Sequence, residues 1–189
     1  GARGLWGKST MYEESAGIPM LLAGPGIPRG NATDAPVSLV DVYPTILQSV
    51  ALNAAGHSPT HPGHSLIEIA DGYVPGRTVL SEYHAAGAKA ASYMIRHGRY
   101  KYIHYVGMRP MLFDLAADPE ERVDLAPGPA HSAQLAECEA RLLNVVDPAA
   151  VDAAARADQR AVIARHGGRD AILARGTFRY SPPPGAAAT

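Results

Sequence analysis

The segment from Arg77 to Leu115 constrains the fold more than any other part of the chain, because it contains four strand-like stretches separated by turn-forming residues. In the stretch YKYIHYV, side chains alternate with a period of two, which is typical of a strand with one buried face. His97-Gly98-Arg99 immediately before it predicts the turn of an antiparallel hairpin. We therefore predict a small antiparallel sheet from four strands, Arg77–Tyr83, Ser92–Arg96, Tyr100–Val106 and Met111–Leu115.

The residues before this sheet predict a different arrangement. The short apolar run from Ile18 to Gly26 is ended by a Gly-Pro turn, which favours a strand buried on both faces, as in a parallel sheet covered by helices. A helix is predicted from Asp41, with the Asp41 side chain as its N-cap. One stripe of this helix is apolar and consists of Val42, Ile46, Leu47 and Val50.

The last third of the chain predicts helices. Residues 132–146 have an amphipathic pattern, and Asp147-Pro148 then places an N-cap before a proline at the first helical position. This second helix is expected to run to His166 and to stop at Gly167-Gly168, before a short helix over 169–175. The predicted inward side chains of the first helix are Leu135, Cys138, Leu142, Leu143 and Val146.

Charge, cysteine content and hydropathy exclude several classes of protein. The 189 residues carry a formal net charge of −1, whereas nucleic-acid binding by a whole domain favours a strongly basic face. Cys138 is the single cysteine, so a disulfide framework is excluded. No apolar run approaches the roughly 20 residues that a transmembrane helix needs.

Seven motifs occur in an order that resembles the C-terminal portion of the formylglycine-dependent sulfatases of the alkaline-phosphatase superfamily. The likeness is greatest to the choline-sulfatase and arylsulfatase branch, which includes phosphonate monoester hydrolases. It extends from residue 1 to about residue 126, and more weakly to the end of the chain. The motifs are GLWGKSTMYEES, IPMLLAGPGI, VSLVDVYPTIL, GHSL, SEYH, RHGRYKYIHY and LFDLAADPEERVDLA.

The resemblance implies an α/β fold that becomes α+β towards the C-terminus. Residues 1–56 would form the end of a mixed catalytic sheet, and 57–130 would form the antiparallel subdomain. Helices would follow over 131–180, with a Pro/Gly/Ala tail over 181–189.

The family's nucleophile motif, Cys/Ser-x-Pro-x-Arg, is absent from this sequence, since Cys138 lies in Glu-Cys-Glu. The metal-binding Asp-His/Asn-Gly triplet of the family would fall before Gly1. We therefore expect a C-terminal portion that is inactive alone. The resemblance implies that the complete enzyme uses formylglycine and a divalent cation, Ca²⁺ or Mn²⁺, on a small sulfate ester.

Lys8, in the GLWxK motif, is the predicted catalytic residue. The resemblance implies that its ammonium group contacts a sulfate oxygen near the leaving group, where negative charge develops in the transition state. His84, which follows a predicted strand and precedes small residues, is a candidate for hydrogen bonding to substrate. The alternatives are a solvated Lys8 beside Trp6, in cation–π contact, and a structural His84.

Other patterns suggest ligand sites less strongly than they suggest ordinary structure. His57, His61 and His64 share one loop and would suit Zn²⁺, but no carboxylate or helix fixes their spacing. The acidic turn after the last strand suggests Ca²⁺, although its spacing is not that of an EF-hand. Its members are Asp114, Asp118, Glu120 and Glu121.

The tyrosine-rich strand alternates aromatic and basic residues in a way that would suit nucleic acid, but such alternation is common on strands without a ligand. The residues concerned are Tyr100, Tyr102 and Tyr105 with Arg96, Arg99 and Lys101. Cys138 is predicted to be an inert buried thiol.

Three functions remain open at this point. The first is sulfate ester hydrolysis, and the second is hydrolysis of phosphonate monoesters or phosphodiesters with the same constellation of groups. The third is a binding or accessory module without catalysis. The sequence leaves open the oligomeric state and whether the compartment is cytoplasmic or periplasmic.

Overall fold

The computed structural model describes residues 2–4, 8–52, 61–72, 76–84 and 88–176. The predicted tail and His57 lie outside these ranges. The helices are α1 (Glu13–Ala16), α2 (Val42–Ser49), α3 (Leu66–Ala70), α4 (Ser132–Val145), α5 (Pro148–Arg165) and α6 (Gly168–Leu173). The strands are β1 (Thr78–Tyr83), β2 (Ser92–His97), β3 (Tyr100–Tyr105) and β4 (Met111–Asp114).

The four predicted strands form one antiparallel sheet in the order β1-β2-β3-β4, as the alternation and turns indicate. Leu80 pairs with Ile95, and Ile95 pairs with Tyr102 across the hairpin. The turn between β2 and β3 includes Gly98, whose φ of 54° lies in the left-handed region that glycine adopts readily. The predicted hairpin is therefore confirmed.

One face of the sheet packs against α4. Tyr93, Ile95 and Tyr102 are each fully buried there, and Leu142 of α4 is also fully buried. The prediction that Leu143 faces inward with them is wrong, because its side chain is 58% exposed. Neighbouring residues of a helix point about 100° apart, so burial of Leu142 turns Leu143 towards solvent.

The opposite face of the sheet is covered by the N-terminal segment. Met94, Ile103 and Phe113 form a second buried cluster with Met11. Tyr12 also packs there, with its ring centroid 5.9 Å from that of Phe113. The sheet is thus a central layer between the N-terminal segment and α4.

Helix α5 begins and ends as the sequence predicts. The Asp147 carboxylate accepts hydrogen bonds from the N–H groups of Ala149 and Ala150, both at 3.0 Å, which satisfies donors that lack helical partners. After Arg165 the chain reverses at Gly167, whose φ is 88°.

The prediction of a strand over Ile18–Gly26 is wrong for this structure. These residues have no regular secondary structure, and Leu21 is 90% exposed. A strand is stabilised by ladder hydrogen bonds to a neighbour, and the described four-stranded sheet does not include this segment. The apolar stripe of α2 is likewise open to solvent at Ile46 (56% exposed) and Val50 (57%).

Candidate functional site

Lys8 lies in the N-terminal segment that covers the sheet. Its side chain is exposed, and no ion pair within the described residues engages it. The alternative contact with Trp6 lies outside the described residues. An exposed ammonium group is accessible to a ligand. Whether its position is fixed depends on the contacts of the residues around Lys8.

A network of buried charges holds the residues that follow Lys8. Lys101, in the middle of β3, is fully buried, and its Nζ lies 2.7 Å from Glu13 Oε1 and 2.8 Å from Glu121 Oε1. The Glu13 backbone N–H donates to Glu121 Oε2 at 2.7 Å. Glu121, in the turn after β4, is 2% exposed. A buried charge is tolerated when it is paired in this manner.

Arg3, which precedes Lys8, contacts the same turn. Its Nη1 donates to the Glu121 carbonyl oxygen at 3.1 Å, and its Nη2 donates to the carbonyl oxygen of Glu120. The guanidinium carbon also lies 3.9 Å from the centre of the Tyr12 ring, in the range of a cation–π contact. Arg3 and Glu13, five residues before and five after Lys8, are therefore both held by one turn.

Sequence reasoning missed the roles of Glu121 and Lys101, because it places Glu121 only in a Ca²⁺ turn and Lys101 only in the basic and aromatic strand. The available signal is the period-two pattern, since Lys101 lies on the same strand face as Ile103, and a lysine on an apolar face needs a carboxylate partner. That partner lies 20 residues further along the chain.

His84 directly follows β1 and lies apart from this network. Its side chain is 19% exposed, and its ring contacts the Tyr93 ring edge-on with centroids 5.3 Å apart. Both ring nitrogens are inaccessible to solvent and have no hydrogen-bond partner among the described residues. Nε2 lies 3.8 Å from Glu82 Oε2.

A small cavity of about 40 Å³ adjoins His84. Asp152, Arg156 and Gln159 of α5 line it, and Gln159 Nε2 donates to the His84 carbonyl oxygen at 2.9 Å. Lys8 does not line this cavity. The two predicted site residues are therefore not brought together in one described pocket.

The histidine loop does not form a described metal centre. His61 Nδ1 accepts a hydrogen bond from the Gly63 N–H at 3.1 Å, and its ring stacks near Tyr43 with centroids 4.9 Å apart. The His64 N–H donates to Asp41 Oδ1 at 3.0 Å. Among the described residues, no three His, Cys, Asp or Glu side chains are grouped so that they would hold a metal ion.

Asp41 occupies the N-cap position of α2, as predicted, but its side chain makes no capping bond to that helix. The carboxylate is fully buried and forms a two-pronged ion pair with Arg77, with Nη1 2.7 Å from Oδ2. It also accepts from the N–H groups of Ser38 and His64. Asp41 thus joins the start of α2 to the start of β1.

The carboxylates of the acidic turn form ion pairs and hydrogen bonds with other groups of the chain. Asp114 pairs with Arg99 and accepts from the N–H groups of Ala116 and Ala117. The Arg99 hydrogen bond is the main cause that lowers the pKa of Asp114. Asp118 accepts from the Val123 N–H at 2.8 Å.

The aromatic strand does not offer a stacking platform at Tyr102 and Lys101, since both side chains are fully buried. Burial raises the pKa of Tyr102 above its usual range.

Cys138 is a buried thiol, as predicted. Burial raises its pKa to about 11, so the thiolate that acts as a nucleophile is scarce at neutral pH.

Comparison with known proteins identifies the region to which this chain corresponds. Residues 1–147 match the family model described as N-sulphoglucosamine sulphohydrolase, C-terminal. Arylsulfatase K of Gallus gallus is 42% identical over 131 residues, which is 63% of this chain and 24% of that protein. Choline-sulfatase of Rhizobium meliloti (strain 1021) is 38% identical over 129 residues, which is 68% of this chain and 25% of that protein.

A solved structure gives the same result for the fold. The phosphonate monoester hydrolase from Silicibacter pomeroyi aligns with a TM-score of 0.56 and 28% identity, over 74% of this chain and 30% of that one. This chain therefore spans about a quarter of the length of the curated relatives that it matches. No helix in the described part of the chain is long and apolar enough to cross a membrane.

Proposed function

Because this chain belongs to the family of N-sulphoglucosamine sulphohydrolase C-terminal regions, we propose that it forms the C-terminal part of an enzyme that hydrolyses sulfate esters. The observation that carries the proposal is the match over residues 1–147, which includes Lys8 and the turn that fixes its flanking residues. Identities of 42% to arylsulfatase K and 38% to choline-sulfatase support sulfate esters as the substrate class.

Lys8 is the group in this chain that we assign to the reaction. When the sulfur–oxygen bond breaks, negative charge grows on the leaving oxygen and on the non-bridging oxygens. A fixed ammonium group stabilises that charge more strongly in the transition state than in the bound substrate. The exposed position of Lys8 between anchored neighbours supports this role. His84, whose ring nitrogens have no hydrogen-bond partner among the described residues, is a second candidate for contact with the substrate.

In the complete enzyme, formylglycine would supply the nucleophile, and a divalent cation, Ca²⁺ or Mn²⁺, would supply positive charge for the sulfate oxygens. The described residues do not fit either group, because Cys138 is buried within the α4 cluster and no described cluster would hold a metal ion. We therefore assign neither group to a described residue of this chain. The chain alone is then expected to lack turnover.

Phosphonate monoester hydrolysis is the second candidate. The likeness to the Silicibacter pomeroyi enzyme, with a TM-score of 0.56 over 74% of this chain, favours it. Lys8 would serve both reactions, because charge also develops on the leaving oxygen of a phosphonate ester.

The test is a comparison of ester hydrolysis by the complete polypeptide and by the 189-residue chain. We expect the complete enzyme to hydrolyse nitrophenyl sulfate faster than nitrophenyl phenylphosphonate, and the chain alone to hydrolyse neither. The reverse preference would support the second candidate. Activity of neither polypeptide would support a non-catalytic module.

In the complete enzyme, Lys8→Ala is expected to lower kcat/KM by about 10²-fold, the effect of losing one donor to the developing charge. The matched control is Lys89→Ala, which removes another exposed lysine. If the two variants keep equal activity, Lys8 is an ordinary surface residue.

A further inference from the structure

The segment around Lys8 is held from both sides by the turn at Glu120 and Glu121. Arg3 precedes Lys8 by five residues and donates to the carbonyl oxygens of both glutamates. Glu13 follows Lys8 by five residues and is bound through its N–H to the Glu121 carboxylate. Each contact joins residues more than a hundred positions apart in the sequence, so the turn brings together parts of the chain that local sequence does not pair.

Both oxygens of the Glu121 carboxylate are committed to this arrangement. Oε2 accepts from the Glu13 N–H and lies 3.8 Å from Arg3 Nη2. Oε1 lies 2.8 Å from Lys101 Nζ as an ion pair without the alignment of a hydrogen bond, and Lys101 in turn donates to the Glu13 carboxylate at 2.7 Å. The side chains of Glu121 and Lys101 are fully buried, so solvent does not compete for these contacts.

We propose that Glu121 is a positioning residue, which fixes the segment carrying Lys8 by binding Glu13 on one side and Arg3 on the other. This inference rests on the proposed function, in which Lys8 contacts the substrate. Fixing both ends of the segment restricts where its middle residue lies, and a displacement of about 1 Å lowers rate by up to about 10²-fold in well-ordered sites. Lys101 supports Glu121 by neutralising its buried charge.

The sequence provides a reporter that does not depend on activity. Trp6 is the only tryptophan of the chain and lies two residues before Lys8, so its fluorescence is specific to this segment. In the 189-residue chain, Glu121→Gln is expected to change both the acrylamide quenching constant and the anisotropy of Trp6. The reason is that a neutral amide in place of the carboxylate no longer balances the charges of Lys101 and Arg3.

Two matched controls separate this effect from a general loss of stability. Glu120→Gln alters the neighbouring carboxylate, which pairs with Arg122 on the surface, and leaves the carbonyl oxygen that Arg3 binds. Leu142→Ala destabilises the opposite face of the sheet without touching the segment. Both controls are expected to leave Trp6 quenching unchanged. Equal quenching in Glu121→Gln and in these controls would overturn the proposal.

A double variant keeps the inference testable if Glu121→Gln does not fold. Replacing a buried ion pair by apolar residues of similar size preserves stability in many proteins. The variant Lys101→Met/Glu121→Leu is therefore expected to fold with the same circular dichroism spectrum as the parent chain, but with altered quenching of Trp6. Quenching equal to that of the parent chain would show that the carboxylate does not position the segment.

Kinetics of the complete enzyme distinguish failure of this inference from failure of the proposed function. We expect Glu121→Gln to lower kcat for nitrophenyl sulfate about tenfold with little change in KM, because a displaced Lys8 stabilises the transition state less. If Lys8→Ala lowers activity and Glu121→Gln does not, positioning is wrong and the function stands. If Lys8→Ala has no effect, the assigned role of Lys8 fails, while Trp6 quenching still decides whether Glu121 fixes the segment.

Discussion

At the scale of single residues, Asp41 shows how a buried carboxylate joins distant segments. It is fully buried and receives hydrogen bonds from Arg77 and from the N–H groups of Ser38 and His64. Arg77 is itself buried and also donates to the Pro36 carbonyl oxygen at 3.1 Å. The pair therefore holds the start of α2 against the start of β1, in place of the capping role that local sequence suggests.

We predict that Asp41→Asn lowers the free energy of unfolding by about 3 to 5 kcal/mol, because Arg77 is left as a buried charge without its counter-ion. Urea denaturation followed by circular dichroism measures this change. Asp34→Asn, at an exposed position of the preceding loop, is the matched control and is expected to have little effect. Equal denaturation midpoints for the two variants would contradict the structural role of the ion pair.

At the scale of elements, α4 gives a test in which two adjacent leucines differ only in orientation. Leu142 is fully buried against the sheet, whereas Leu143 is 58% exposed. We expect Leu142→Ala to lower the free energy of unfolding by about 2 to 5 kcal/mol, because it removes apolar contacts and leaves a cavity. Leu143→Ala is expected to change it by less than about 0.5 kcal/mol, as for other surface positions.

Chemical denaturation of both variants measures the difference, and the helix propensity change is the same in each. If Leu143→Ala proves as destabilising as Leu142→Ala, the face that α4 turns to the sheet is misassigned.

The elements that sequence reasoning predicts correctly are those with local signals. The hairpin around Gly98 and the start of α5 at Asp147-Pro148 depend on neighbours within a few residues, and both are confirmed. Ile18–Gly26 carries the composition of a buried strand, but composition does not supply the neighbouring strand that its backbone requires. Helix periodicity predicts an inward Leu143 because the apolar stripe it allows on α4 is wider than the part of the helix that the sheet covers.

The candidate site is predicted only in part, for a related reason. Lys8 and His84 are identified through short motifs, which name residues but not their surroundings. Glu121 acts through Glu13 and Lys101, which lie 108 and 20 residues away, and no local pattern distinguishes it from the exposed Glu120 beside it. Only the tertiary structure selects which carboxylate of the pair is buried.

At the scale of the whole molecule, the two faces of the sheet are held by different kinds of interaction. The face towards the N-terminal segment combines apolar packing with the buried charges of Lys101, Glu13 and Glu121. The face towards α4 is apolar, but three of its buried residues carry groups that ionise at high pH. These groups are Cys138, Tyr93 and Tyr102.

The α4 face should make the fold sensitive to alkaline pH. Burial raises the pKa of Cys138 from 9.0 to about 11 and that of Tyr93 from 10.0 to about 12, and it raises the pKa of Tyr102 in the same direction. The unfolded chain therefore releases these protons at lower pH than the folded chain. The stability that the neutral groups contribute is complete below pH of about 9 and is lost as pH rises towards about 12.

We therefore predict a cooperative alkaline transition in which the buried tyrosines contribute the last part of the rise in tyrosinate absorbance, together with loss of the circular dichroism signal. Urea denaturation at several pH values above about 9 measures the slope of the free energy of unfolding against pH. Cys138→Ala removes one of the three groups, so its slope between about pH 9 and 11 should be shallower, while the tyrosine-dependent loss above that range persists. An identical slope in the parent chain and in Cys138→Ala would mean that the thiol titrates alike in both states. Tyrosinate absorbance that is complete before the fold is lost would show that water reaches Tyr93 and Tyr102 in the native state, so that packing of α4 on the sheet does not keep these hydroxyls neutral.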